Sequence, residues 1–291
     1  MKTLLVILAH PDDESFGSGG TLSKYAHENV AVHYVCGTRG ESGTVDADKL
    51  NGFQNVAELR TSELMCASKE LGLAGVHFLG YRDSGMVGSD DNQLNESLHA
   101  APLDDVAQRI IGFIDQLKPD VIVTHDQYGG YGHPDHIKLH LATVRAYKIK
   151  YNIQLDYQPD GLMTLANNQQ PITNNSAPRL YFTAFPKGLV KFGVRVMPWL
   201  RQDPRKFGRN KDIDLVKIAS WDVPATVQIN TKEYVIHKEK ASACHASQQA
   251  PAQQNFFIRL MFRRNAGKEF YARAYPPVAS GEVKEQSLLG D

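Results

Sequence analysis

Four apolar runs, each followed by a segment of helical spacing, limit what this chain can fold into more than any other feature. TLLVILA at residues 3–9 is continuous and apolar, and Val30 to Cys36, Val76 to Leu79 and Val121 to Thr124 read the same way. A run without alternating polar residues suits a strand covered on both faces. Between the runs lie Gly20 to Glu28, Asn51 to Leu71, Leu103 to Leu117 and Pro134 to Tyr147, which carry helical spacing. Strand alternating with helix four times predicts an α/β fold, a Rossmann-like doubly wound and mostly parallel sheet with right-handed crossovers. Such a sheet binds ligands at the carboxyl ends of its strands. Four loops should therefore meet in one crevice: HPDDESFGSGG, GTRGESG, GYRDSGM and HDQYGGYGHPDH.

Beyond Tyr147 the pattern weakens. Asn167 to Pro178 reads as a polar loop, Arg179 to Thr183 and Val223 to Ile229 as strands, Lys232 to Ser247 as a helix, and Phe270 to Tyr275 as a late edge strand. Lys187 to Lys211 holds eight basic residues against Asp203 alone, and takes no firm structure from its pattern. It reads as a solvated face, with an acidic portion of a ligand or anionic lipid headgroups as weaker options. The expected layout is an α/β core at residues 1–150 and a C-terminal elaboration at 151–291. The latter should complete the sheet and cover the cleft, making one compact unit.

With 291 residues, 42% of them hydrophobic, the chain is long enough to bury a full core. Thirty-two basic residues balance thirty-two acidic ones, so no global field draws it to nucleic acid or to an anionic membrane. The run after Met1 meets the charges of HPDDE too soon for a signal peptide, and reads as a buried first strand. Nothing later approaches the roughly 18 apolar residues that span a bilayer. Cys36, Cys66 and Cys244 are odd in number and widely spread, which argues against a disulfide framework and for a reducing cytoplasm.

Two loops carry the chemistry. His10, Asp12 and Asp13 leave the first strand together, with Pro11 stiffening the turn, and His133-Pro134-Asp135-His136 opens the helix after the fourth. Either alone could be a helix cap or a solvated loop. Together, at the ends of two strands of one sheet, they suit a catalytic zinc with three N/O ligands and an open position for water. Gly19 and Gly20 fit a close backbone approach beside the metal, or a plain tight turn. Cys244 and His245 are adjacent on the expected helix and diverge by about 100°, so they are not read as a chelating pair.

AHPDDE at residues 9–14, TRGESG at 38–43, ELRTSEL at 58–64, GYRDSGM at 80–86, GGYGHPDH at 129–136 and CHASQ at 244–248 together resemble the LmbE-like, or PIG-L, family of zinc N-deacetylases. The nearest likeness is to its mycothiol branch. The match is close in the N-terminal half and loose in the tail. The resemblance implies a zinc-dependent hydrolase that removes an N-acetyl group from an N-acetylglucosamine-containing glycoside. It implies His10, Asp13 and His136 as zinc ligands, Asp12 as general base, and His133 as the residue facing the oxyanion or leaving group. Tyr131 would polarise the carbonyl, and Asp135 would orient His133. Arg60 and Asp83 fall at positions similar to substrate contacts, with a helix-surface ion pair and a turn residue as the plainer readings; Glu41, in a Gly-flanked turn, is grouped with them as a residue that orders the cleft, or merely caps a helix. His245 lies in the family-like tail segment, which allows it a place at the cleft wall.

A dinucleotide-binding oxidoreductase would need GxGxxG after the first strand, but Leu22 stands where the third glycine would fall. A non-catalytic metal-binding module has no need of Asp12. An amidase acting on a thiol conjugate is the neighbouring activity in the family. The N/O ligand set also tolerates iron or another divalent metal. The expected partner is a small amino-sugar substrate, without nucleic acid or membrane, and the sequence is compatible with a homo-oligomer.

Overall fold

The computed structural model describes all residues except 51, 159–160, 166–176, 186, 209–210, 212, 222, 249–266, 279–284 and 291. Most of the expected loop from Asn167 to Pro178 therefore lies outside the described residues. In chain order the elements are β1 (Thr3–Leu8), α1 (Asp13–Phe16), α2 (Gly19–His27), β2 (Ala31–Cys36), α3 (Val56–Leu71), β3 (Gly75–Phe78), α4 (Leu103–Leu117) and β4 (Val121–Thr124). There follow α5 (Gly129–Gly132), α6 (Pro134–Tyr151), β5 (Leu155–Tyr157), β6 (Met163–Leu165), β7 (Arg179–Ala184), α7 (Lys187–Val196), α8 (Leu215–Ser220), β8 (Val227–Asn230), α9 (Val235–Cys244) and β9 (Lys268–Tyr275).

Among the described residues one seven-stranded sheet runs in the order β3-β2-β1-β4-β7-β9-β8. The first five strands are parallel; β9 is antiparallel to both β7 and β8. The period-2 geometry of β1 divides its residues between two cores. Leu5, Ile7 and Ala9 pack on the side of α4 and α6, with Ile110, Ile114, Leu139 and Ala142. Leu4, Val6 and Leu8 pack on the side of α2, α3 and α9, with Leu22, Leu64, Leu71 and Ala241. Both faces of β1 are thus covered, which is why its sequence shows no alternation.

Local signals set the helix ends. The Asn55 side chain accepts the Glu58 N–H at 2.9 Å, so α3 begins later than the spacing from Asn51 suggested. Gly72 ends it in the left-handed region. Pro134 occupies the first turn of α6, where its missing N–H costs nothing. The basic stretch contains α7 and a 3-10 turn at Met197–Leu200, and Lys191, Arg195, Arg201 and Lys206 are exposed as a solvated face would have them.

Three expectations need correction. The late strand is interior, with β8 outside it among the described strands, because the polar residues of β9 are satisfied inside the fold. Glu269 is buried and accepts the N–H groups of Gly20 (3.0 Å) and Thr21 (2.7 Å) at the start of α2. Arg273 pairs with Glu285. Gly20 accordingly serves this contact and not the metal: a Cβ there would lie 2.7 Å from the Thr231 Cβ. Finally, Cys66 of α3 and Cys244 of α9 form a disulfide, their Cα atoms 5.8 Å apart across the packed helices. An odd count leaves only Cys36 free and buried; helix packing, which spacing does not reveal, joined the other two.

Candidate active site

β1 and β4 are neighbours, with Ile7 opposite Thr124, so the loops that follow them emerge side by side where the strand order reverses. His10 Nδ1 lies 3.1 Å from His136 Nε2. Asp13 Oδ2 lies 3.7 Å from the former and 3.4 Å from the latter. Ligand atoms bound to zinc at about 2.0–2.1 Å in a tetrahedron stand about 3.4 Å apart. The three donors therefore fit one small divalent ion, and the N/O chemistry suits a site left open for substrate.

The surroundings hold this triangle in place. The Asp13 carboxylate accepts the N–H groups of Ala9 (3.1 Å) and His10 (2.9 Å), and the Tyr34 hydroxyl donates to the His10 carbonyl at 2.7 Å. The far nitrogen of His10 faces Asp135 at 3.3 Å and Asp83 at 3.4 Å, the carboxylate-imidazole arrangement that orients a ligand. His125 stacks on His136 at 3.8 Å, but its Nε2 accepts the Ala9 N–H at 3.0 Å. His125 Nε2 also stands 3.6 Å from Asp13 Oδ2, so Asp13, His125 and His136 form a second group of donors close enough together to hold a metal ion. His140 continues the column, bonded to the His125 carbonyl at 2.8 Å and driven by burial to a pKa of about 4.

Charge is shared unequally here. Burial pulls the His136, His133 and His125 imidazoles well below their ordinary pKa, leaving them neutral, the form that binds metal. At His10 burial acts in the same direction, but Asp83, Asp135 and Asp13 outweigh it and push the pKa well up. Asp83 moves the other way: burial would raise it, and His10 holds it below the usual carboxylate range.

Asp12 stands at φ 121° and ψ −28°, in a region that costs a non-glycine residue about 1–3 kcal/mol. Its neighbours over-determine that conformation. The Arg60 guanidinium, 4% exposed, donates to Asp12 Oδ2 at 3.0 Å, to the Pro11 carbonyl at 2.6 Å and to the Gly40 carbonyl at 3.1 Å. Gly40 must be glycine for this approach, since a Cβ would fall 2.1 Å from the guanidinium at a φ of 72°. Burial raises the Asp12 pKa to about 7, against the lowering pull of Arg60.

His133 is the N-cap of α6: its Nδ1 accepts the Asp135 N–H at 3.2 Å, which leaves Nε2 as the protonated nitrogen. The Asp135 carboxylate does not reach His133 in the way the sequence suggested. It is held by the Ser84 N–H at 3.0 Å and the Ser84 hydroxyl, and faces His10. Tyr131 sits within α5, between Gly130 at φ 68° and Gly132 at φ 94°. Its ring lies 5.2 Å from His136 and 6.0 Å from His133, edge to face, and burial keeps its phenol protonated. Glu41 lies outside the His10–Asp13–His136 triangle. It accepts the Asp83 N–H at 3.0 Å and so ties the loop after β2 to the loop after β3.

Glu14, Tyr34, Ser84 and His245 also surround the site, each bonded to one of its residues or to the next in line. Glu14 stands inside the motif AHPDDE and His245 inside CHASQ, so both were in view. Tyr34 and Ser84 carry no local signal.

Residues 5–147 match the PIG-L family, described as GlcNAc-PI de-N-acetylase. A 1D-myo-inositol 2-acetamido-2-deoxy-alpha-D-glucopyranoside deacetylase of Acidothermus cellulolyticus is 32% identical, over 99% of this chain and 94% of the relative. Among solved structures, the N,N'-diacetylchitobiose deacetylase of Pyrococcus horikoshii superposes with a TM-score of 0.59 at 18% identity, covering 94% of this chain and 83% of that one. The 4-carboxy-2-hydroxymuconate hydratase of Pseudomonas putida KT2440 gives 0.56 at 18% identity, covering 97% and 99%. Shape alone is thus shared with an enzyme named for a different reaction, and chemistry must be argued from the site. The full-length identity, the matched residues 5–147 and the order of the motifs establish that the chain belongs to the PIG-L family of de-N-acetylases.

Proposed function

We propose that this protein is a metal-dependent N-deacetylase that hydrolyses the acetamide of an N-acetylglucosamine-containing glycoside, with zinc as its metal. The observation that carries the reading is the His10–Asp13–His136 triangle, of the right size for one divalent ion, with the Asp12 carboxylate on the same turn as two of its corners. Iron or another divalent ion would suit the same donors, and metal analysis of the purified protein decides between them. The amidase reading on a thiol conjugate gains no support from the full-length relative, which is named a deacetylase.

A bound dication supplies Lewis acidity, polarising the acyl oxygen and lowering the pKa of the attacking water. The chain does the rest. Asp12 takes the proton as water attacks the amide carbon, a step typically worth about 10² to 10⁴ in rate. His133, with Nδ1 occupied, presents Nε2–H to the developing oxyanion, and the Tyr131 phenol is a second donor. Because burial keeps His133 neutral, we assign to Asp12 the return of the proton to the leaving amine, so that acetate and a free amine are the products. Asp135 serves His10 by its carboxylate and His133 by its N–H. Asp83 and Glu41 are assigned to the sugar side of the cleft, while Arg60 is assigned to Asp12.

Residues 1–150 and 151–291 are taken as one working unit, a reading supported by a sheet that draws strands from both. A cytoplasmic location is part of the proposal; the Cys66–Cys244 link removes its argument from unpaired thiols, and the small-molecule substrate named for the relative remains. Among the described residues no helix is long and apolar enough to cross a membrane. The deciding assay measures acetate and primary amine released from N-acetylglucosaminyl glycosides, with and without chelator. Metal-dependent release of both is expected; metal bound without turnover of any such amide would refute the reading.

A further inference from the structure

We infer that Glu14 and His245 form a positioning couple that fixes the Asp12 peptide, so that the C-terminal half of the chain completes the catalytic turn. The inference rests on the reading of Asp12 as general base. Both side chains are wholly buried, at 0% exposure. Glu14 Oε2 accepts the Asp12 N–H at 2.9 Å. Its other oxygen accepts from His245 Nε2 at 2.7 Å and from the Ser15 hydroxyl at 2.5 Å. Asp12 is thereby held at two points, its N–H by Glu14 and its carboxylate by Arg60, in a backbone conformation that needs such restraint.

The partner of Glu14 comes from far along the chain. His245 closes α9, well outside residues 5–147, and is clamped on both sides to α3. The disulfide of Cys244 with Cys66 precedes it. After it, the Ser247 N–H and hydroxyl each donate to Glu63 at 2.7 Å. Arg60 stands on the same helix as Cys66 and Glu63, so both restraints on Asp12 are anchored in the α3–α9 seam. Among the described residues His245 Nδ1 has no hydrogen-bond partner, and the contact with Glu14 is the polar bond of the ring.

The test uses the full chain with His245→Ala, His245→Gln and Glu14→Gln. Steady-state acetate release and metal content are measured on the loaded enzyme, and hydrogen exchange of the peptide spanning residues 9–17 on metal-free protein. His245→Ala should lower kcat by about 10- to 100-fold, the scale of a small misplacement of a reacting group, with KM and metal content within about twofold. Exchange at 9–17 should quicken about tenfold while β2 and β4 keep wild-type protection. His245→Gln retains a donor for Glu14 and should recover most of kcat. Unchanged kcat and exchange in His245→Ala would overturn the inference, as would a loss explained by missing metal or raised KM. Should His245→Ala not fold, the two amide variants decide. Glu14→Gln at wild-type rate and exchange counts against the couple; a kcat loss in it at constant KM, with His245→Gln near wild type, supports it. If the wild type itself releases no acetate, the deacetylase reading fails, and exchange alone judges the couple.

Discussion

Replacing Arg60 by Gln separates two roles for that residue, one holding a sugar hydroxyl and one holding the Asp12 carboxylate. The guanidinium is buried and 3.0 Å from Asp12 Oδ2. An opposite charge so placed lowers a carboxylate's pKa by about 1 to 3, so its removal should raise Asp12 by a similar amount. Burial already places that group at about 7, and a bound dication favours the charged form, so the wild-type acid limb of kcat/KM should fall below 7. The base works only when ionised. Hence Arg60→Gln should shift the acid limb upward by about 1 to 3 in pH, costing about 10- to 1000-fold at low pH and recovering as pH rises. Arg60→Lys keeps the charge but not the planar fork that also reaches the Pro11 and Gly40 carbonyls. It should leave the limb near its wild-type place while losing stability, since each buried acceptor left unpaired costs about 1–3 kcal/mol. The assay is the pH profile of acetate release for the three proteins. A raised KM with an unmoved acid limb would refute the assignment to Asp12 and return Arg60 to the sugar.

Asp126 is buried, and burial raises its pKa to about 6 although it accepts the Tyr128 and Gly130 N–H groups at 2.7 and 3.2 Å. Its protonated form favours the fold, a contribution present below about pH 4 and lost as pH rises through 6. Asp126→Asn, which keeps the accepting oxygen, should therefore stabilise the protein by up to about 3 kcal/mol at pH 8 and by nothing at pH 3.5 in denaturant titrations; an equal effect at both would contradict this. Cys66 and Cys244 close a loop over a sequence separation of 178. Reduction should lower unfolding stability by about 5 kcal/mol on the chain-entropy relation, and identical denaturant midpoints with and without reductant would argue against that. Asp12→Asn should keep full metal content but lose about 10² to 10⁴ in kcat, checked by metal analysis beside acetate release; loss of metal together with rate would instead place Asp12 among the ligands.

Much of the core was legible because strand burial writes itself into the chain. β1 and β4 are covered on both faces, and their unbroken apolar runs gave their positions to within a residue. The meeting of His10, Asp13 and His136 was readable for a related reason: they stand at strand ends that a parallel sheet must align. What sequence could not supply was lateral pairing. The charges in β9 look like an exposed strand until Glu269 is seen at the start of α2, and Cys66 meets Cys244 only through helix packing. Arg60 and Asp135 were noticed as residues, but their partners were not, because a guanidinium or a carboxylate does not announce which of several nearby groups it will satisfy. The hairpin of β5 and β6 is too short to leave a pattern.

The position of β9 between β7 and β8 has a consequence for biosynthesis. β7, at Arg179–Ala184, can take its place beside β4 as soon as it has left the ribosome, yet the strand that pairs with its outer side spans Lys268–Tyr275. Until then β7 is an unprotected border open to pairing with other chains. Its late partner also brings Glu269 to the amino end of α2, so the nascent N-terminal half waits on residues 268–275 for both a paired β7 and a capped helix. A chain cut short of residue 268 should therefore aggregate rather than persist as a smaller enzyme.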